Sequence, residues 1–269
     1  MKVSRSEYYY EHKETESEQK EKEKRIIQCF KKHKGNYGRI RLRKELMRDK
    51  SNPIEISEYR IANILKKYGL KAKSGRDGKK KHQKPAEQHY IEENLIKDKF
   101  SVKIPNYLWC SDISVLEYKN HKKLYVCAII DVATRRIVGW SIDSHQRQEL
   151  VQRAFNMAIG RNPNIPDGAV FHSDRGCQYT ALKTKATVEQ AGFRKSMSRP
   201  GTPSDNQPIE SFWHTLEVEM ADISHFNFDK ASRTIVEYIE MYYNSSRIHS
   251  GINYMIPNDF FSILCVQKS

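Results

Sequence analysis

Three acidic residues stand where an acid is costly. Asp112 lies inside the apolar run Tyr107-Leu108-Trp109-Cys110-Ser111-Asp112-Ile113-Ser114-Val115-Leu116. Asp174 ends Ala169-Val170-Phe171-His172-Ser173, and Glu210 falls in the first turn of a helix opened by Ser204-Asp205-Asn206. A carboxylate in apolar surroundings is unfavourable unless a cation or a proton compensates it. Three of them at element ends form an oxygen donor set suited to Mg²⁺ or Mn²⁺. The corresponding chemistry is phosphodiester cleavage, which needs an activated water or hydroxyl, in-line geometry and neutralised charge at phosphorus. Two divalent ions about 3.5–4 Å apart supply all three. In this assignment Asp112 bridges both ions, Asp174 holds one and Glu210 the other, with 35 residues between Asp174 and Glu210. Plainer readings exist for each: an Asp after a strand is often a turn residue, and a Glu in a first helical turn favours the helix dipole. Asp112 is the most informative, because acids in the middle of apolar strands are uncommon. Asp131 is assigned to a turn, paired with Arg135 or Arg136. His172 and Cys177 carry no local nucleophile signature.

The elements that must position these acids follow from hydrophobic periodicity. Strands are predicted near 107–117, 123–131 and 136–143, joined by Lys119-Asn120-His121-Lys122 and Ala133-Thr134-Arg135. A helix follows at about 146–159, then a strand at 169–173, a helix near 180–191 and a strand near 193–197. After the flexible Arg199-Pro200-Gly201-Thr202-Pro203, helices return at about 206–220 and 229–243. This order is that of a mixed-sheet α/β domain.

Upstream the pattern is helical and basic. Residues 1–90 carry 26 Lys+Arg against 13 Asp+Glu, whereas 91–269 are close to neutral, within a total of +14. That asymmetry points the front end at a polyanion, most simply nucleic acid. Residues 1–24 read as a charged leader, an exposed helix or a frayed segment, with an aromatic cluster at Tyr8-Tyr9-Tyr10. Three short helices follow within 25–70, the third carrying Ile61, Ile64, Leu65 and Tyr68 on one face behind a Ser57 cap and stopped by Gly69. They resemble a helix-turn-helix variant, with Arg39, Arg41, Arg43, Lys44, Lys66 and Lys67 as DNA-contact candidates. Residues 71–100 are expected to be a basic linker, Lys71 to Lys84, and a short helix from Ile91 to Phe100. A catalytic domain then occupies 101–262. Five scattered cysteines without a Cys-x-x-Cys pair suggest a reducing compartment and no structural zinc. With no apolar core flanked by basic residues at the N-terminus and no run of transmembrane length, a soluble, cytoplasmic, DNA-associated protein is expected.

Together the motifs carry a resemblance. Trp109-x-x-Asp112-Ile113, His172-Ser173-Asp174-Arg175-Gly176-x-Gln178-Tyr179 and Ser198-Arg199-x-Gly201-x-x-x-Asp205-Asn206-x-x-x-Glu210-Ser211-Phe212 resemble the DDE integrase-core transposases of bacterial insertion sequences, of the OrfB type. Tyr243-Asn244-x-x-Arg247-x-His249 with Tyr254-Met255-x-Pro257 is similar to that family's C-terminal signature. Tyr37-Gly38-Arg39-Ile40 and Tyr68-Gly69-Leu70 are similar to its helix-turn-helix-like segment. The resemblance spans about 25–260. It implies a ribonuclease-H-like fold, a Mg²⁺-dependent site of two ions (Mn²⁺ as substitute) on Asp112, Asp174 and Glu210, cleavage at element ends and strand transfer by a 3′-hydroxyl. It further implies DNA contacts at Arg175, Lys195, Arg199, Asn206, Arg247 and His249, a homo-oligomer on DNA, and an upstream-frame (OrfA-type) partner that supplies end recognition.

The sequence departs from the family pattern after the catalytic Glu. Members usually carry Lys or Arg seven residues on, where this chain has Glu217, with Glu219 two further. Two added negative charges are expected to weaken DNA docking unless His214 or Lys195 compensates. Gln207-Pro208 also replaces the usual small residues, which an early helical position tolerates. A non-catalytic or weakly active DNA-binding regulator is therefore the alternative. A retroelement-type integrase is disfavoured, since the His/Cys zinc module is missing.

Overall fold

The computed structural model describes residues 15–73, 91–96, 100–200 and 202–266. The Tyr8-Tyr9-Tyr10 cluster with the start of the leader, and the basic tract beyond Lys73, lie outside the described residues, as does Gly201. The chain divides into two compact units, Met1–Ser74 and Gly75–Ser269.

The first unit packs α1 (Glu16–Lys32), α2 (Arg39–Arg48) and α3 (Glu58–Lys67). Helix α1 begins inside the predicted leader. Thr15 Oγ1 accepts from the Glu18 amide at 3.3 Å and Glu18 Oε2 accepts from the Thr15 amide at 2.7 Å, a reciprocal cap that satisfies two orphan donors. The charged stretch Glu16 to Lys24 is thus the first half of a helix, exposed except at Lys22 and Glu23 and anchored further on by Ile26 and Phe30. Ser57 caps α3 by accepting from the Arg60 amide at 3.2 Å, and Gly69 follows it in the left-handed region at φ +64°. The apolar faces bury Ile26, Phe30, Leu42, Leu46, Ile61, Ile64 and Leu65 together with Tyr37, Ile54 and Ile56.

The second unit follows the predicted order: β1 (Leu108–Tyr118), β2 (Lys122–Asp131), β3 (Ile137–Asp143), α4 (Gln148–Arg161), β4 (Val170–Ser173), α5 (Cys177–Thr180), α6 (Leu182–Gln190), β5 (Arg194–Met197), α7 (Gln207–Glu219), α8 (Phe228–Glu237) and α9 (Pro257–Val266). The strands form one sheet in the order β3-β2-β1-β4-β5. The β3, β2 and β1 neighbours are antiparallel; β1, β4 and β5 run parallel. Two helices differ from expectation. The predicted 180–191 helix is α6, and an additional single turn, α5, precedes it, separated by Ala181 with its extended ψ of 133°. The predicted 229–243 helix changes at Tyr238 into a π-helical turn, Tyr238–Tyr243, after which the Asn244 side chain exchanges two 2.9 Å bonds with the backbone of Ile137. The expected helix from Ile91 is absent over 91–96. Its amides are spent on β5 instead: Glu92 N–H donates to Met197 Sδ at 3.4 Å and Leu95 N–H to Ser196 Oγ at 3.0 Å, while Met197 N–H donates to Glu93 O.

Side-chain alternation decides what each face of the sheet carries. Leu108, Cys110, Leu124, Val126, Ala128 and Ile130 pack against α7 and α8 through Ile209, Phe212, Trp213, Leu216 and Ile235. Trp109, Cys127, Ile129 and Val138 pack on the other face against Val151, Ala154, Phe155 and Tyr179. Asp112 shares the parity of Leu108 and Cys110, so it belongs to the α7 face. Helix α4 crosses β3 at Gly139, where an added Cβ would lie 2.2 Å from Ala154 O and 2.8 Å from Ala158 Cβ. Gly139→Ala is expected to cost about 1–3 kcal/mol or more, since backbone must move to admit the methyl. Urea unfolding measures this, and an unchanged midpoint would contradict so close a crossing.

Candidate active site

Asp112 and Asp174 are placed as neighbours by the parallel register of β1 and β4. Ser111 pairs with Ser173, so each acid is the next residue along its own strand direction. Beneath them lies a buried polar group: Ser111 Oγ and the Tyr179 hydroxyl share a 2.8 Å hydrogen bond, with Cys127 Sγ 3.7 Å from each. Burial first, and then the fields of Asp112 and Asp174, push the Cys127 thiol up to about 12. Burial, Cys127 and the same two carboxylates raise the Tyr179 phenol well above its ordinary value. Asp174 Oδ1 accepts from the Gly176 amide at 3.0 Å, a tight turn that closes β4 and opens α5. The Asp174 side chain opens onto solvent, while protein on its other sides removes enough water to raise its pKa; the Gly176 amide and the Lys195 ammonium oppose that rise.

Glu210 arrives on α7, whose N-terminal half is fastened to the same stretch of β1 at two points. Asn206 Nδ2–H donates to Ser111 O at 2.9 Å, and Trp213 Nε1–H donates to Asp112 Oδ2 at 3.0 Å. Glu210 lies one turn from each anchor, within about 6 Å along the axis. Pro208 sits where the helix needs no amide donor. Among the described residues, no group of three or more His, Cys, Asp or Glu side chains is already set to hold a metal ion. The arrangement is a carboxylate pair with a third acid on a helix tied to one of them. In kind the donors suit a hard divalent cation, being anionic oxygens throughout.

With this geometry in place, known proteins supply the context. Residues 102–203 match the family described as "Integrase core domain", 191–257 match a second family of the same description, and 16–78 match the "HTH-like domain". The transposase for insertion sequence element IS904 of Lactococcus lactis is 38% identical over 88% of this chain and 91% of its own length. Transposase InsF for insertion sequence IS3A of Escherichia coli is 32% identical over 87% and 80% respectively. The chain belongs to the insertion-sequence transposases with an integrase core. That family is one of polynucleotidyl transferases acting on DNA. Among solved structures, the catalytic core of BIV integrase aligns with 61% of this chain and 99% of its own at 14% identity and a TM-score of 0.42. No described helix is long and apolar enough to cross a membrane.

Several cations expected at DNA have other work in this transposase-family fold. Lys195 is buried on β5, its ammonium donating to Tyr179 O, and burial lowers its pKa to about 7. Arg247 is buried and forks onto Glu219 at 2.8 and 2.9 Å, with the Tyr238 hydroxyl donating to the same carboxylate at 3.2 Å. Glu219 is thus a structural counter-ion and adds no negative charge to a DNA face. Asn206 is buried on Ser111. Arg43 donates to Ile56 O at 3.1 Å and Lys67 pairs with Glu23 at 2.8 Å, so both hold the first unit together. Arg41 lies 5.8 Å from the Tyr37 ring centroid. Arg39 and Lys66 are exposed on their helices. Arg175 donates to Ser198 O at 2.8 Å, and Arg199, half exposed, grips the buried Asp205 at 2.6 and 3.0 Å. His249 accepts from the Gly251 amide at 3.0 Å in the tail. Glu217 is exposed and, at i+7 from Glu210 with His214 at i+4, shares its helical face. Asp131 is a turn acid as expected: the Thr134 hydroxyl donates to it at 2.5 Å and the Asn106 amide at 3.2 Å, the nearby Arg136 charge favours its anion, and burial outweighs these and raises it to about 6.

His172 is fully buried between Ser196 Oγ at 2.8 Å and Ser198 Oγ at 3.1 Å, and burial lowers its pKa to about 4 against a weaker opposing pull from Asp205. A folded-state pKa depressed below the unfolded value of about 6.5 means that the unfolded chain binds the extra proton. Stability from neutral His172 is present above about 6.5 and is lost as pH falls toward 4, by roughly 2–3 kcal/mol. Asp131 acts in the opposite sense, gaining stability as pH falls through about 6. The test is therefore the difference between wild type and His172→Gln in unfolding free energy, followed from pH 7 to pH 4. The gap should close on acidification; a constant gap would refute the assignment.

Proposed function

We propose that this chain cuts DNA at the ends of its mobile element and joins the freed 3′-hydroxyl to target DNA, with Asp112, Asp174 and Glu210 as the residues that hold two Mg²⁺ or Mn²⁺ ions. The reading is carried by one observation: Asp112 and Asp174 directly follow the paired Ser111 and Ser173 on the neighbouring strands β1 and β4, and the helix bearing Glu210 is pinned to that same stretch of β1. When bound, such ions polarise the phosphoryl oxygen and generate a nucleophile at neutral pH. The chain's own groups do the rest. The carboxylates set where the cations sit and keep phosphate away until they are present. Arg175 and Arg199, beside Asp174 and the 198–206 loop, present positive charge to the backbone entering the site. Arg39 and Lys66 of the first unit supply salt-sensitive grip on the duplex. A homo-oligomer and an upstream-frame partner complete the assembly.

The deciding assay incubates the full chain with a labelled duplex carrying the element's terminal repeats and flanking DNA, with Mg²⁺, Mn²⁺ or EDTA, and with or without the upstream-frame product. Metal-dependent nicking at the repeat boundary is expected. Salt-sensitive binding without nicking in every arm would favour the regulator reading instead, for which the exposed Glu217 on the Glu210 face is the specific structural argument.

A further inference from the structure

We infer that Trp213 is a positioning residue of the metal site: its indole N–H fixes the Asp112 carboxylate and makes the placement of Glu210 and that of Asp112 depend on each other. The inference rests on the metal-site reading above and adds a residue to it. Trp213 is buried against Phe212, with ring centroids 4.9 Å apart, and its packing role needs only an apolar ring. What packing does not require is the 3.0 Å bond to Asp112 Oδ2. The chain tolerates an unsatisfied indole elsewhere, since Trp109 Nε1 is buried with no hydrogen-bond partner among the described residues. Trp140 spends its N–H on Glu240 at 2.6 Å, away from the carboxylates. Trp213 alone of the three therefore directs a charge-assisted bond at an acid of the site.

The bond's position on α7 gives it its consequence. Trp213 is three residues after Glu210, so the two side chains leave neighbouring parts of one helical face. Any axial slip of α7 that moved Glu210 would also pull on Asp112, while Asn206 resists such slip one turn before Glu210. Outer-shell donors to ligating carboxylates fix their orientation, and losing one typically weakens metal affinity by about 10–100-fold. An indole donates and never accepts, so it pins one Asp112 oxygen without competing as a ligand.

The experiment measures Mn²⁺ binding by electron paramagnetic resonance of the free ion, using the full chain without DNA. Trp213→Phe should bind Mn²⁺ about tenfold or more weakly, and its nicking rate should recover toward wild type at high Mn²⁺. Trp140→Phe, the control, should leave binding unchanged. Should Trp213→Phe fail to fold, the wild-type protein still decides: its Trp213 indole ¹⁵N–¹H resonance must shift on Mg²⁺ addition, and that shift must vanish in Asp112→Asn. Undiminished Mn²⁺ affinity in Trp213→Phe, or a Trp213 resonance indifferent to Mg²⁺, overturns the inference. If Asp112→Asn and Asp174→Asn lose Mn²⁺ while Trp213→Phe does not, only the role of Trp213 falls. If those two variants keep it, the metal-site reading fails with it.

Discussion

Asp112→Asn, Asp174→Asn and Glu210→Gln are each expected to lower metal-dependent nicking by about a thousandfold or more. The estimate follows from the several kcal/mol of charge stabilisation that bound cations supply at phosphorus. Amides keep the shape of the acids but present no anion to the cation. Stability should move the other way. Asp174 carries a charge in a place that removes much of its water, so Asp174→Asn should unfold at the same or a higher temperature. Loss of activity with no loss of stability separates a site residue from a structural one. Full nicking by any one of the three variants would remove that residue from the proposed site.

The second large effect belongs to Arg247. Its guanidinium and the Glu219 carboxylate are both buried and joined by two hydrogen bonds, with Tyr238 as a third partner. Arg247→Met should destabilise the protein by about 3–5 kcal/mol, because it leaves a buried anion unpaired at the last residue of α7. Glu219→Met combined with Arg247→Met should recover much of that, since an apolar pair of similar volume avoids the desolvation of two ions. Thermal unfolding of the two singles and the double forms the cycle. A cost for Arg247→Met of no more than about 1 kcal/mol, the range of exposed pairs, would show that the bridge contributes little.

The sheet was legible because its strands are short apolar runs bounded by Gly, Pro and polar turns, and the antiparallel β1–β2–β3 portion lies in consecutive segments. The order of the acids along the chain was equally open to inspection. What stayed hidden depends on contacts from far along the sequence. Lys195 and Arg247 look like any other basic residue until β4, α5 and α7 are folded around them. Glu219 looks like an extra charge beside the DNA until Arg247 arrives from 28 residues later. Ile91 to Ile96 has helical composition, yet the Glu92 and Leu95 amides are taken by side chains of β5. Trp213 was missed although its spacing from Glu210 was visible; a tryptophan reads as core, and only the fold shows where its N–H is aimed. The change to π geometry at Tyr238 left no sequence signal that periodicity could register.

The contact of residues 91–96 with β5 carries a practical corollary. β5 is the outermost strand on its side of the sheet, and this segment screens its rim while Asn94 donates to Asp205 at 2.9 Å, bracing the loop that leads into α7. A shortened version beginning after Phe100 would shed both services at once. Its naked flank would recruit foreign strands, and the catalytic half would precipitate for reasons unrelated to its chemistry. Any trimmed version meant for crystals or assays has to begin upstream of Ile91.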